Sequence, residues 1–323
     1  MTNKNNRSDI IRELLHKADN ILLTSHVRPD GDAVGSLLGL GLSLMAIGKD
    51  VQLVLADGLP TTFKHLSGAD QVITAAKEDY DLSVTVDCSD LDRTGGTLEN
   101  RQPDINIDHH ITNNNYARQN LVEKRASTAG IIAEHLTDWD LPITTPAAEA
   151  LLTGMITDTI GFSTSNMTGS CLRTAAMLVD HGANIHELYN LALGTRSFPE
   201  TKLWGLGLSR LQRKDRIVWT TLTDEDKKLA RFNGKGSADI INLLTGIKDA
   251  DIAIVFLESG NHQIKVSWRA KTPFDISNLA VSFGGGGHPA AAGADIEGDM
   301  EEVKQQILNA TIDYLNKGTN PKN

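Results

Sequence analysis

The sequence predicts an α/β fold. A larger N-terminal, doubly wound, mostly parallel sheet domain precedes a smaller C-terminal α/β domain. Three observations predict it. Short apolar runs alternate with helical stretches up to residue 181, the pattern of a parallel sheet covered by helices. The pattern changes after Asn184. The length, 323 residues, suggests about two domains at roughly 150 residues each.

In chain order, Ile21–Ser25 reads as a short buried strand. Residues 32–47 read as a helix stopped by Gly48; Gly35, Gly39 and Gly41 weaken it but permit close helix–sheet packing. Residues 51–55, 82–86 and 105–107 are further strands, and 128–137, 146–156 and 168–181 further helices. Residues 184–211 look helical, with an interruption at Phe198-Pro199. Strands follow at 217–222, 252–258 and 263–269, then a helix at 275–282. A glycine cluster at 284–287 leads to a predicted helix start, and an amphipathic helix covers 299–316. The tail 317–323 is expected to fray. These elements divide the chain into a metal-binding domain (1–190), a helical linker (191–210) and a substrate domain (211–323), with the active site expected in the cleft between the domains.

Composition narrows the function. At 40% hydrophobic and 22% charged the chain is an ordinary globular protein, with a net charge of −10. Residues 1–195 account for −11 of it and residues 196–323 for +1. Such a chain is a poor coat for long nucleic acid, which demands many phosphate-neutralising cations. A long duplex is therefore not expected as a partner. Cys88 and Cys171 are too few for a disulfide framework, and no segment resembles a leader or membrane span. The expected location is the cytoplasm, with no membrane partner.

Chemistry concentrates at element boundaries. His26, Asp30 and Asp32 lie where the first strand gives way to a helix, and Pro29 and Gly31 turn the chain so that they can converge. An imidazole with two carboxylates suits a divalent first-row cation. Asp87 follows the strand 82–86, and Asp108-His109-His110 follow 105–107. Asp108 is placed to fix an imidazole tautomer from behind. Asp158 ends an apolar helical stretch, an unfavourable place for an anion unless a cation is near. Near the C-terminus, Gly285, Gly286, Gly287 and His288 offer unobstructed backbone N–H groups for a phosphate. Arg269 ends a strand and can grip a second phosphate.

In this order the motifs His-x-x-Pro-Asp-Gly-Asp-Ala-x-Gly-Ser, a strand-end Asp, Asp-His-His, a later Asp and Gly-Gly-Gly-His-x-x-Ala-x-Gly resemble the DHH phosphoesterase superfamily. The segment from Val86 to Gly95, with Arg93, is most similar to the bacterial oligoribonuclease/pAp phosphatase (nanoRNase) group. The resemblance implies two Mn²⁺ ions, with Co²⁺ or Mg²⁺ as substitutes. It implies His26, Asp30 and Asp87 on one ion, and Asp32, Asp87, His109 and Asp158 on the other. It also implies His110 beside the scissile phosphate, and Arg93, Arg269 and the 285–288 segment on the substrate. The turn after Asp158 departs from the expected pattern at Ile160 and Gly161.

The expected activity is hydrolysis of short oligoribonucleotides to mononucleotides and of 3′-phosphoadenosine 5′-phosphate (pAp) to AMP. The expected mechanism is in-line attack by a hydroxide bridging two metals. Alternatives are a linear or cyclic dinucleotide phosphodiesterase and, from another class, a non-catalytic nucleotide-binding regulator. The oligomeric state is open, with a homodimer compatible.

Overall fold

The computed structural model describes residues 2–77, 79–99, 101–234, 236–237, 239–260 and 262–318. They form two compact units, residues 1–195 and 196–323.

The first unit is built on a five-stranded parallel sheet in the order β2-β1-β3-β4-β5. The strands are β1 (Asn20–Thr24), β2 (Asp50–Val54), β3 (Leu82–Val86), β4 (Ile105–Asp108) and β5 (Gln119–Val122). Every residue of β3 and β4 is buried, as expected of inner strands of a parallel sheet. The helices are α1 (Thr2–Lys17), α2 (Gly31–Met45), α3 (Thr128–His135), α4 (Thr145–Asp158), α5 (Gly169–Asp180) and α6 (Ile185–Tyr189). Leu23, Leu37, Val84, Ile107, Ile131 and Leu151 belong to one continuous core. β1 has β2 on one side and β3 on the other, so the chain reverses its direction of travel across the sheet there. Ligand crevices open beside the carboxyl ends of strands at such a switch point.

α2 and α4 approach very closely. A Cβ on Gly35 would lie 2.5 Å from the Ala150 carbonyl oxygen and 2.7 Å from the Gly154 nitrogen. Gly39 likewise faces Leu151. These two glycines therefore serve helix–helix contact rather than the expected helix–sheet contact, and only Gly41 meets sheet side chains, Leu23 and Leu53.

The second unit carries a mixed six-stranded sheet in the order β10-β11-β9-β8-β7-β6. Its strands are β6 (Gln212–Lys214), β7 (Ile217–Leu222), β8 (Ile252–Glu258), β9 (Gln263–Ala270), β10 (Gly286–His288) and β11 (Ala291–Glu297). β7 and β8 run parallel and the other pairs antiparallel. The helices are α7 (Phe198–Ser209), α8 (Asp224–Ala230), α9 (Ile240–Thr245), α10 (Ser277–Val281) and α11 (Met300–Gly318). Alternate residues of β8 feed two cores. Ile252, Ile254 and Phe256 join one with Trp268 and Ile307, while Ala253, Val255 and Leu257 join the other with Leu203 and Ile240.

Two expectations change. Residues 191–210 are not one helical linker: a π-helical turn (Asn190–Gly194) falls in the first unit, and α7 buries Leu203 in the second. The segment after His288 is not a helix start. Gly286–His288 and Ala291–Glu297 form a β-hairpin, because pairing with β9 along seven residues of β11 outweighs the helical propensity of Ala290–Ala292. Of the tail expected to fray, residues 319–323 lie outside the described residues, and α11 reaches Gly318.

Candidate metal centre

Three strands of the first unit deliver ionisable groups at their carboxyl ends. β1 runs into buried His26, β3 into buried Asp87, and β4 ends on buried Asp108 before His109 and His110. Asp30 caps α2 by accepting the Asp32 and Ala33 N–H groups, both at 3.1 Å. It also stands 3.8 Å from Nε2 of His26. Capping and site membership are thus one arrangement. Asp87 has φ +52°, a left-handed conformation that Asp tolerates better than most residues.

The groups form three overlapping clusters, His26/Asp30/Asp87, Asp87/His109/His110 and Asp32/His109/Asp158, joined through Asp87 and His109. Oδ2 of Asp87 is 3.6 Å from His26 Nε2, and its Oδ1 is 3.6 Å from His109 Nε2. His109 Nε2 is also 3.9 Å from Asp32 Oδ2 and 3.7 Å from Asp158 Oδ2. Potential ligand atoms of His26, Asp30 and Asp87 lie within 4.8 Å of one another, as do those of Asp32, His109 and Asp158. The separations of 3.6–3.9 Å exceed hydrogen-bonding distance.

The tautomers are set from behind. Nδ1 of His26 lies 2.9 Å from the Val27 carbonyl and Nδ1 of His109 lies 3.3 Å from the Arg125 carbonyl. A carbonyl only accepts, so each Nδ1 carries the proton and each Nε2 keeps its lone pair for the cluster when the ring is neutral. His110 is held differently. Its Nδ1 is 2.7 Å from Oδ1 of Asp108, and Asn113 donates to Oδ2 of the same carboxylate at 2.6 Å.

Asp32 is the most constrained acid. Thr128 and Ala129, the first residues of α3, donate their backbone N–H groups to Oδ2 at 2.6 Å and Oδ1 at 2.9 Å. The Thr128 hydroxyl donates to Asp87 Oδ1 at 2.9 Å. Thr128 lies outside the sequence motifs. Ser127-Thr128 before a helical stretch signals an N-cap, and Ser127 does cap α3, but nothing local in the sequence places that cap against Asp32 and Asp87.

The electrostatics fit a cation. Burial, then the charges of Asp87, Asp158 and Asp30, push Asp32 well above the usual carboxylate range. Burial opposed by His109 and reinforced by Asp87 and Asp30 raises Asp158 to about 6. Burial alone would lower His26, but the neighbouring carboxylates of Asp30 and Asp87 and the Val27 carbonyl outweigh it and raise the imidazole to about 10. The Asp108 hydrogen bond, against burial, raises His110. Four carboxylates, with Asp32 and Asp87 buried, share two imidazoles and leave excess negative charge that divalent ions would relieve. The donor set, all carboxylate and imidazole with no thiolate, suits a hard or borderline divalent ion.

Arg93 lies in a 3₁₀ turn (Asp92–Thr94) of the first unit, where its carbonyl accepts the Val27 N–H at 2.7 Å and ties this turn to the His26 loop. In the second unit Arg269 and His288 share a row. Arg269 of β9 pairs with Ala291 of β11, which pairs with His288 of β10. Paired residues share a sheet face, so an alanine separates the two larger side chains. The guanidinium donates to the Trp268 carbonyl at 3.0 Å, and burial lowers its pKa. A Cβ on Gly285 would lie 2.1 Å from the Gly293 oxygen, and one on Gly287 2.4 Å from the Ala291 oxygen. These two glycines are therefore required by hairpin packing, while Gly286 faces open space.

The DHH family N-terminal domain matches residues 20–155, and the DHHA1 domain matches residues 227–317. The bifunctional oligoribonuclease and PAP phosphatase NrnA of Thermus thermophilus is 30% identical over 319 residues, 95% of this chain and 94% of that protein. This chain belongs to the DHH family. It is a metal-dependent phosphoesterase of that family. A crystal structure of an exopolyphosphatase-related protein from Bacteroides fragilis is similar to this DHH chain with a TM-score of 0.87 at 25% identity, over 98% of each chain. RecJ of Thermus thermophilus in complex with Mn²⁺ shares the fold, with a TM-score of 0.54 at 16% identity over 98% of this chain and 55% of that one. Among the described residues, no helix of this DHH protein is long and apolar enough to cross a membrane.

Proposed function

We propose that this DHH protein hydrolyses short oligoribonucleotides to mononucleotides and removes the 3′-phosphate of pAp. The observation that carries the proposal is the carboxylate of Asp87, which turns one oxygen toward His26 and the other toward His109. The substrate class is supported by the oligoribonuclease and PAP phosphatase relative that matches almost end to end.

In this reading His26, Asp30 and Asp87 hold one divalent ion, and Asp32, Asp87, His109 and Asp158 hold a second, with Mn²⁺ the preferred metal. When bound, such a pair supplies an activated water and neutralises charge for in-line displacement at phosphorus. The chain's own residues do the rest. Asp108 fixes His110 through Nδ1 and favours its protonated form, so Nε2 can donate a proton to the departing oxygen. α3 orients Asp32 through two N–H groups. Arg93 is the phosphate contact of the first unit. Arg269, Gly286 and His288 are those of the second, with Gly285 and Gly287 shaping the strand.

Short substrates suit the charge. The first unit, at −11, repels a long polyanion, and the second, at +1, offers no broad basic stripe. Both cysteines are free and buried, compatible with the reducing cytoplasm.

The test is a Mn²⁺-supplemented turnover panel of pAp, a dinucleotide, a pentanucleotide, long RNA, cyclic di-AMP and pyrophosphate. Turnover of the first three well above the others is expected. Equal rates on long RNA and the dinucleotide reject the substrate reading, and no turnover of any phosphoester rejects the activity.

A further inference from the structure

Helix α4 ends in a way that costs stability beside the metal centre. Asp158 is its last residue, and Ile160 follows with φ +49°. The Ile160 N–H bonds the Thr157 carbonyl at 3.2 Å, and the Gly161 N–H bonds the Ile156 carbonyl at 2.8 Å. This is the Schellman pattern, in which the left-handed position favours glycine. α2 ends in the same pattern with Gly48 there, at φ +85°, and α5 with Gly182, at φ +99°. Among the described residues, Ile160 is the only β-branched residue with a left-handed φ. The glycine of this turn, Gly161, stands one place too late.

The conformation is enforced by Thr159. Its hydroxyl donates to the Met155 carbonyl at 2.5 Å and accepts the Phe162 N–H at 2.9 Å, while Ser163 donates to the Ile160 carbonyl at 2.7 Å. Packing does not explain the isoleucine, which is 61% exposed. A β-branched residue that is strained and exposed points to a role outside stability. A second isoleucine repeats the placement. Ile111, two residues after His109, is 85% exposed. The Asp158 carboxylate and the His109 imidazole meet at 3.7 Å, and each chain continues two residues to an exposed isoleucine. Two peptide steps span at most about 7.6 Å between Cα atoms, so both isoleucines lie close to that cluster.

We propose that Ile160 and Ile111 form an apolar contact for the nucleobase of the nucleotide whose phosphate is hydrolysed. The proposal rests on the substrate reading above. A phosphate at the metal centre leaves its nucleoside to spread over the adjoining surface, where apolar side chains meet the face of a base. Isoleucine offers no hydrogen bond, so the contact is blind to base identity.

The test compares kcat/KM on pAp and on its base-free counterpart, 1-deoxyribose 3,5-bisphosphate, in the Mn²⁺-loaded wild type, Ile160→Gly and Ile111→Ser. It also compares Tm of the metal-free wild type and Ile160→Gly. The preference for pAp is expected to fall about tenfold in each variant, mainly through KM. Tm of Ile160→Gly is expected to rise by roughly 2–4 °C as the left-handed strain is relieved. A preference that moves less than twofold, or a Tm that falls, overturns the proposal. A wild type inactive on both substrates rejects the substrate reading and this inference together, whereas an active wild type with an unmoved preference rejects the isoleucine contact alone.

Discussion

Thr128 donates its hydroxyl to Oδ1 of Asp87 at 2.9 Å, linking the start of α3 to the carboxylate between the histidine clusters. The hydroxyl aims the carboxylate so that Oδ2 faces His26 and Oδ1 faces His109 and His110. Thr128→Val keeps the shape and removes the donor. Metal affinity is expected to fall about 10–100-fold, the usual consequence of losing a group that orients a ligand. Thr128→Ser should restore most of it. Calorimetric titration with Mn²⁺ measures both, and equal affinities for wild type and valine variant would show that Asp87 is oriented without the hydroxyl.

In the proposed mechanism Asp108 acts on the departing oxygen through His110, and it also accepts the His109 N–H at 2.9 Å. Its Oδ1 lies 2.7 Å from Nδ1 of His110, and Asn113 satisfies Oδ2. Asp108→Asn removes the charge that raises the imidazole's pKa. Turnover is expected to drop on the order of 10²–10⁴-fold. The alkaline limb of the remaining rate profile should move to lower pH, because a proton held at Nε2 is lost sooner. The Tm increase on adding Mn²⁺ should persist. An unmoved alkaline limb would remove His110 from the proton transfer.

What the sequence disclosed follows from how local each signal is. His26, Asp87 and Asp108 stand directly after or at the end of short apolar strands, and a parallel sheet gathers such ends at one edge. Their convergence was therefore legible. Asp108 as the group fixing an imidazole was legible for the same reason, its partner being two residues away. Thr128 was not, since its partners Asp32 and Asp87 are 96 and 41 residues distant. The missed elements are those with weak periodicity. α1 begins with Thr2-Asn3-Lys4-Asn5-Asn6, and β5 has two polar residues among four. The hairpin of β10 and β11 was misread because Ala290–Ala292 looks helical, while its fate is decided by a strand more than twenty residues earlier.

In the proposed reading, protons and metal compete for the same atoms. His26, raised to about 10, is protonated at neutral pH without metal, and Asp158, raised to about 6, holds its proton in mildly acidic solution. Metal binding must displace these protons, so apparent affinity rises with pH. For metal-free stability the two groups have the same sign and different pH windows. The raised His26 contributes stability that is full below its ordinary value near 6.5 and is lost as pH rises through about 10. The raised Asp158 favours the protonated native state, so its contribution is full below the ordinary 3.8 and is lost as pH rises through about 6. The Tm gained on adding Mn²⁺ should therefore grow between pH 5.5 and 8. A gain independent of pH across that window would exclude both groups as ligands.

The second unit offers a test of stability away from the metal centre. Asp226 is buried, and its carboxylate accepts a fork from Arg210, at 2.5 and 2.8 Å, and the Thr223 N–H and hydroxyl, at 2.8 and 2.9 Å. Burial alone would raise its pKa, but these four bonds outweigh it and hold the acid below its ordinary value. A depressed carboxylate gives stability that is present above its unfolded pKa and lost as pH falls through the folded one. Asp226→Asn keeps the size, removes the charge and weakens both the Arg210 fork and the cap of α8. Unfolding in urea, followed by fluorescence of Trp219 and Trp268 in this unit, is expected to show a loss of about 2–3 kcal/mol at pH 7. The difference should shrink toward pH 3, where the wild-type acid approaches protonation. A variant as stable as wild type at pH 7 would show that the Arg210 fork adds nothing beyond the neutral cap.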